Sequence, residues 1–182
     1  MSVVVIVVVI VLIIAVIGGI AFFVLKQDQS KGSLGEKLEL VNQPLLLEAD
    51  ETKCISPNKA GNAVILDTFI DTSGVEESEN VKKVNNDHQM WTSTAKDQIK
   101  RKGLNFCLDI AGGQFKEGAK IIQTPCSDAV TQKWTAGNGQ LKSKLKPNFC
   151  MGVNTIEINQ QLELQACSAS ANQKWTTQSD EE

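Results

Sequence analysis

Catalysis, metal binding and ligand capture need nucleophiles, bases, soft ligands or charged grips in register. The 182-residue sequence offers few of them. It has one histidine, His88, and five cysteines, Cys54, Cys107, Cys126, Cys150 and Cys167. The cysteines are too scattered for a zinc site of the CxxC type. No nucleophile–base set, phosphate-cradling loop or metal cluster can be read from the spacing, so the expectation is a protein that is not an enzyme and carries no cofactor. The net charge is −3 and the pI is near 5.3. With no basic excess, nucleic acid is not an expected partner. His88 reads as a solvated or core imidazole ahead of any catalytic or metal role. In "KSKLK", Lys142, Lys144 and Lys146 put three ammonium groups on one strand face. That face reads as protection of a sheet edge, or as a grip on an anionic partner or lipid headgroup.

The tryptophans are more informative. All three stand in a Gln-x-Trp motif: Gln89 and Trp91, Gln132 and Trp134, Gln173 and Trp175. The intervals between them are 43 and 41 residues. A constant interval of this kind signals a repeat. Upstream of each motif lie a cysteine and a β-like run: "TKCISPN" with "NAVILDTFI", "NFCLDIAGG" with "GAKIIQTPC", and "NFCMGVN" with "NQQLELQAC". The first unit is longer by about ten residues, an acidic insertion "SGVEESENVKK" that reads as a surface loop. Propeller blades of similar length are excluded by the missing WD and GH signatures and by the count of three. Helical repeats are excluded by short Val/Ile/Thr runs between Asn/Gly turns. An all-β structure with three-fold pseudosymmetry remains. In a strand, Gln and Trp two apart share a face. Each Trp then enters a common core, and its Gln must find backbone partners for a buried amide.

These motifs, with "CLDI" at Cys107, resemble the ricin B-type lectin family over Leu45 to about Gln178. The resemblance implies a β-trefoil with repeats at about 54–97, 107–140 and 150–178. It also implies disulfides Cys107–Cys126 and Cys150–Cys167, with Phe69 near the place of a partner for Cys54, which is left as an odd thiol. The alternative of five reduced core cysteines stays open at this point. A sugar site in this family has an Asp two residues after the first Cys, an aromatic two before the second, and an Asn ahead of QxW. Repeat 2 matches with Asp109 and Gln132, but has Thr124 at the aromatic place and Thr131 at the Asn place. Repeat 3 matches with Asn172 and Gln173, but has Gly152 and Gln165 instead of the acid and the ring. Repeat 1 has Ser56, Asp67 and His88. The carbohydrate-binding candidates are thus Asp109, Thr124, Gln132, Asn172 and Gln173, with repeat 2 the fullest. Asp109 reads equally well as a turn residue in "LDIAGG".

Residues 3–25 are uncharged and long enough for a spanning helix of about 20 residues, so a single-pass, uncleaved membrane anchor is expected, with the bilayer as a partner. Residues 26–44 read as a linker or stalk, 45–178 as the trefoil and 179–182 as an acidic tail. Lysines after the anchor weakly favour a cytosolic domain. Paired cysteines favour a lumenal or extracellular one; a virion membrane satisfies both. Repeat 3 lacks a strand after its QxW, and Leu45 stands nine residues before Cys54 as Gln98 does before Cys107. Leu45–Leu47 are therefore expected to close the barrel beside repeat 3. Two functions fit: a non-catalytic interaction or structural module in a membrane assembly, with a protein partner, or a lectin with a weak glycan site in repeat 2.

Overall fold

The structure, a computed structural model, describes residues 12–16, 19–23, 38–72 and 86–178. It divides into two compact units, 1–30 and 31–182. In the first, β1 (Leu12–Val16) and β2 (Gly19–Phe23) pair antiparallel, with Val16 opposite Gly19. This corrects the helix expected over 3–25 wherever the run is described. Its Val and Ile side chains are stiff at χ1 and fit a pleated strand better than a helix. The rest of that run, residues 26–37, the insertion at 73–85 and the tail at 179–182 lie outside the described residues. Among the described residues no helix is long and apolar enough to cross a membrane.

The second unit is all-β. Its strands are β3 (Gln43–Pro44), β4 (Leu46–Leu47), β5 (Asp50–Pro57), β6 (Val64–Thr68), β7 (Met90–Ser93), β8 (Ile99–Arg101) and β9 (Phe106–Ile110). They continue as β10 (Ile121–Pro125), β11 (Trp134–Gly137), β12 (Gln140–Ser143), β13 (Phe149–Gly152), β14 (Glu163–Ala166) and β15 (Trp175–Thr176). They form three antiparallel sheets of one plan: β15-β4-β5-β6, β7-β8-β9-β10 with β3 added beside β7, and β11-β12-β13-β14. In each, a strand starting at or beside a QxW Trp leads through a short strand to a cysteine-bearing hairpin. Three isolated bridges, Ala63 to Ile122, Ile65 to Gln161 and Lys120 to Glu163, join the three hairpins to one another. This is a β-trefoil.

The expected closure is present. Trp175 and Thr176 pair with Leu47 and Leu46, and Glu48 N donates to Lys174 O at 3.0 Å. Leu45 and Leu47 are fully buried. The start of the domain thus supplies the strand that repeat 3 lacks.

The folded unit also reaches upstream of residue 45, into residues 38–44 at the end of the segment expected as a stalk. Leu40 is fully buried, its N donates to Ser93 Oγ at 2.9 Å, and Ser93 N donates to Leu40 O at 2.9 Å. Gln43 and Pro44 pair with Trp91 and Met90. The polar neighbours of Leu40 mask its role in the sequence; a single apolar residue carries no period. A second correction concerns the lysines. β12 ends at Ser143, so Lys144 and Lys146 stand in the turn beyond it, not on one strand face with Lys142.

Trp91, Trp134 and Trp175 lie at the centre, 0%, 1% and 0% exposed, packed with Leu, Ile and Val from all three repeats. Each indole donates its Nε1–H to a carbonyl on the Cys strand of its own repeat: Trp91 to Ile55 O at 3.2 Å, Trp134 to Leu108 O at 3.1 Å and Trp175 to Met151 O at 3.1 Å. A buried indole N–H left unpaired costs about 1–3 kcal/mol. The same solution appears three times, so each Trp locks its hairpin onto the shared core.

Candidate carbohydrate site

Each QxW motif is entered through one 3-10 turn: Asp87–Gln89, Val130–Gln132 and Ala171–Gln173. The turn swings the Gln against the open end of its cysteine hairpin while the Trp goes inward. All three glutamines are buried. Gln89 accepts from Ile70 N at 2.9 Å and donates to Thr68 O at 2.7 Å. Gln132 accepts from Ser127 N at 2.8 Å and donates to Pro125 O at 3.1 Å. Gln173 accepts from Ser168 N at 2.9 Å and donates to Ala166 O at 2.9 Å. The buried amide is thereby satisfied by backbone, as expected from the motif.

The hairpin register aligns the lobes without ambiguity. Cys54 faces Asp67, Cys107 faces Thr124 and Cys150 faces Gln165. Two residues on stand Phe69, Cys126 and Cys167. Cys107–Cys126 and Cys150–Cys167 are disulfides, and Cys54 is a buried free thiol. Burial, and secondarily the nearby Asp67 carboxylate, pushes that thiol far above the ordinary cysteine range. It is a poor nucleophile and behaves as a small apolar residue.

In repeat 2, Asp109 lies within strand β9, not in the turn; the turn is Ala111–Gly113, with Gly112 and Gly113 at φ of 63° and 68°. Asp109 Oδ2 accepts from Thr124 Oγ1 at 2.6 Å and from Gln132 Nε2 at 3.1 Å. Gln132 Nε2 also donates to Thr124 Oγ1 at 2.8 Å. Asp109 Oδ1 is buried and has no protein partner. The structure therefore brings Asp109, Thr124 and Gln132 into one cluster, with Thr131 beside Gly113 at the lip.

Repeat 3 differs. Gly152 stands where Asp109 stands, and Gln165 fills the space that a side chain there would take. A Cβ on Gly152 would lie 2.5 Å from Gln165 Oε1, 2.9 Å from Gln173 Cγ and 3.0 Å from Asn172 O. Gln173 Nε2 donates to Gln165 Oε1 at 3.1 Å, so a neutral amide oxygen replaces the carboxylate. Gln165 donates in turn to Asn154 Oδ1 at 3.2 Å, and Asn172 Nδ2 donates to Asn154 O at 3.2 Å. Asn172 and Gln173 are together, but in an amide network with no acid.

Repeat 1 has neither arrangement. Ser56 is fully buried, and among the described residues its hydroxyl reaches only Pro57 O, at 3.5 Å. His88 is half-buried; burial first, and the Arg101 guanidinium second, hold its pKa below the ordinary imidazole value. Among the described residues no set of His, Cys, Asp and Glu is arranged to hold a metal ion.

The sequence profile of the ricin-type β-trefoil lectin domain matches residues 48–175. The chain belongs to that family. Its fold is shared with the earthworm R-type lectin C-half, solved in complex with GalNAc (TM-score 0.59, 13% identity, 76% of this chain and 98% of that one). A designed 3-fold symmetric protein, ThreeFoil, superposes at a TM-score of 0.60 with 19% identity, over 75% of this chain and 97% of that one. The agglutinin of Abrus precatorius superposes at 0.59 with 21% identity, over 78% of this chain and 48% of that one. A search of curated proteins finds no match.

Within this lectin domain, sequence reasoning overlooked two residues that complete the QxW clamps. Gln98 Nε2 donates to Gln132 Oε1 at 3.0 Å and to Ser127 O at 2.7 Å. Gln140 Nε2 donates to Gln173 Oε1 at 3.2 Å and to Ser168 O at 2.7 Å. They stand seven and six residues after the Trp of the preceding repeat, each directly before a fully buried aliphatic residue, Ile99 or Leu141. By register the equivalent place before Cys54 is Pro44, since Leu46 faces Cys54 as Lys100 faces Cys107 and Lys142 faces Cys150, and a proline has no side-chain amide to serve as this third clamp on Gln89.

Proposed function

We propose that this lectin-family protein binds carbohydrate, and that its contact residues are Asp109, Thr124 and Gln132 in repeat 2. One observation carries the reading: a carboxylate fixed through Oδ2 by two donors, with Oδ1 left without a protein partner. A buried acceptor without a donor is costly. A sugar hydroxyl seated against the cluster would supply the missing donor. Gln132 holds the carboxylate and is itself held by Ser127 and Gln98, so the acceptor is pre-organised. Thr124 stands where a ring would stack, so the site has hydroxyl recognition without an aromatic platform, and the expected affinity is weak. Multivalent display raises weak affinity by linkage alone.

The absence of a ring at Asp67, Thr124 and Gln165 favours a second reading, a non-catalytic interaction module in a membrane assembly. Attachment to a bilayer draws support from the uncharged run at 3–25. A lumenal, extracellular or virion-surface trefoil draws support from the two disulfides. Membrane fractionation with thiol labelling of intact and permeabilised cells tests both points.

The experiment for the carbohydrate reading is a glycan array probed with the full chain and with Asp109→Ala. Binding to a defined glycan set, reduced about tenfold or more in the variant (about 1.5–3 kcal/mol for a hydrogen bond to a charged group), is the expected result. Silence across the array hands the function to the interaction module.

A further inference from the structure

A groove of about 630 Å³ borders the Val130–Gln132 turn, lined by Lys96, Asp97, Asp128, Val130, Lys133, Lys144 and Leu145. Three chain segments build it, and backbone bonds tie them together. Trp134 N donates to Asp97 O at 2.8 Å, and Lys144 N donates to Lys133 O at 2.9 Å. The charge of the groove is uneven. Lys96 pairs with Asp128 at 2.8 Å, and Lys144 pairs with Asp97. Among the described residues Lys133 forms no ion pair of its own, although its charge is felt by Asp128; three lysines against two aspartates leave the groove one positive charge in excess, in a protein whose net charge is −3. Val130 and Leu145, each 51% exposed, give it an apolar wall.

The groove and the Asp109 cluster share one piece of backbone. Thr131 and Gln132 face the cluster, while Val130 and Lys133, their chain neighbours, line the groove. We propose that the groove is a subsite for the acidic group of a glycan whose neutral ring sits at Asp109, so that the ligand class is an acidic oligosaccharide. Lys133 meets the carboxylate or sulfate, and Val130 and Leu145 take the apolar face of the sugar that carries it. The proposal rests on the carbohydrate reading above. It assigns the preference to a residue outside the Asp109 cluster, so the two can fail separately.

The test uses the full chain on an array of matched glycan pairs, one member neutral and the other carrying a carboxylate or sulfate. The acidic member is expected to bind roughly two- to fivefold tighter at low salt, the range of one exposed charge pair. The preference shrinks as salt screens it. Lys133→Gln removes the preference and leaves binding of the neutral member unchanged. Equal binding of the two members, or a preference that survives Lys133→Gln, overturns the subsite and spares the carbohydrate reading. Binding of neither member overturns both.

Discussion

Repeats 2 and 3 have the same skeleton and opposite contents. Each has a disulfide-closed hairpin, a 3-10 turn, a buried Gln clamped by a second Gln, and a Trp whose indole bonds the Cys strand. On the hairpin strands, repeat 2 places Asp109 and Thr124, and repeat 3 places Gly152 and Gln165. The Gln of QxW donates to an acceptor in both: a carboxylate oxygen at 3.1 Å, or an amide oxygen at 3.1 Å. The need to satisfy a buried amide therefore fixes that an acceptor be present, but not whether it is charged. Scaffold and site are separable in this fold, and a complete QxW motif says nothing by itself about a ligand.

The largest break of the comparison removes what the two repeats share. Trp134→Ala is expected to cost about 3–5 kcal/mol, the range for truncating a buried aromatic, and Trp175→Ala about the same. Urea denaturation followed by circular dichroism measures both. A loss below about 1 kcal/mol in either would mean that the lobe does not depend on its indole.

Next come the disulfides, whose cysteines stand 19 and 17 positions apart. The chain-entropy model gives roughly 3 kcal/mol for each. Cys107→Ser/Cys126→Ser and Cys150→Ser/Cys167→Ser should destabilise almost equally, because loop lengths so similar differ little in closure entropy. Repeat 1, with Cys54 and Phe69 at those places, should not respond to reductant. Two melting temperatures that differ widely between the double variants would reveal strain in one hairpin.

The third prediction concerns the start of the domain. A chain beginning at Leu38 keeps Leu40 and its bonds to Ser93, whereas one beginning at Gln43 loses them. The shorter chain should be less stable by about 1.5–3 kcal/mol, the range for one fully buried Leu. A chain beginning at Glu48 loses β4 as well, and with it the partner of β15. Identical melting of the first two would return residues 38–42 to the stalk.

Much of this was legible because the repeat made it redundant. Three QxW motifs, two cysteine pairs and the missing strand after Trp175 point to one fold, and the structure agrees down to Leu46 opposite Thr176. What stayed hidden had no period to reveal it. Leu40 is one apolar residue in a polar stretch. Gly152 reads as a lost acid, but nothing in the sequence says that Gln165 fills the gap. The grouping of Asp109 with Thr124 follows from register; the unpartnered Oδ1 does not. The Val and Ile run at the N-terminus satisfies the length rule for a helix and the side-chain preference of a strand at once, and over 12–16 and 19–23 the strand prevails.

The finest test converts one repeat into the other. Gly152→Asp alone puts a Cβ at 2.5 Å from Gln165 Oε1 and should destabilise by about 1–3 kcal/mol, as overpacking does. Gln165→Thr alone removes the acceptor of Gln173 Nε2, which keeps Ala166 O, so the loss should be near 1 kcal/mol. Together they rebuild the repeat 2 set of Asp, Thr and Gln, with Asn172 at the lip. The pair should couple favourably, within the roughly 0.5–3 kcal/mol that contacting residues show in double-mutant cycles. Recovery should be partial, because the backbone oxygen of Asn172 would still lie 3.0 Å from the new Cβ. Additive losses in the cycle would mean that Gln165 is not a stand-in for the carboxylate. If the cycle couples and the glycan bound by repeat 2 now also perturbs Asn172 in an amide NMR titration, the site is carried by two hairpin residues on an otherwise common scaffold.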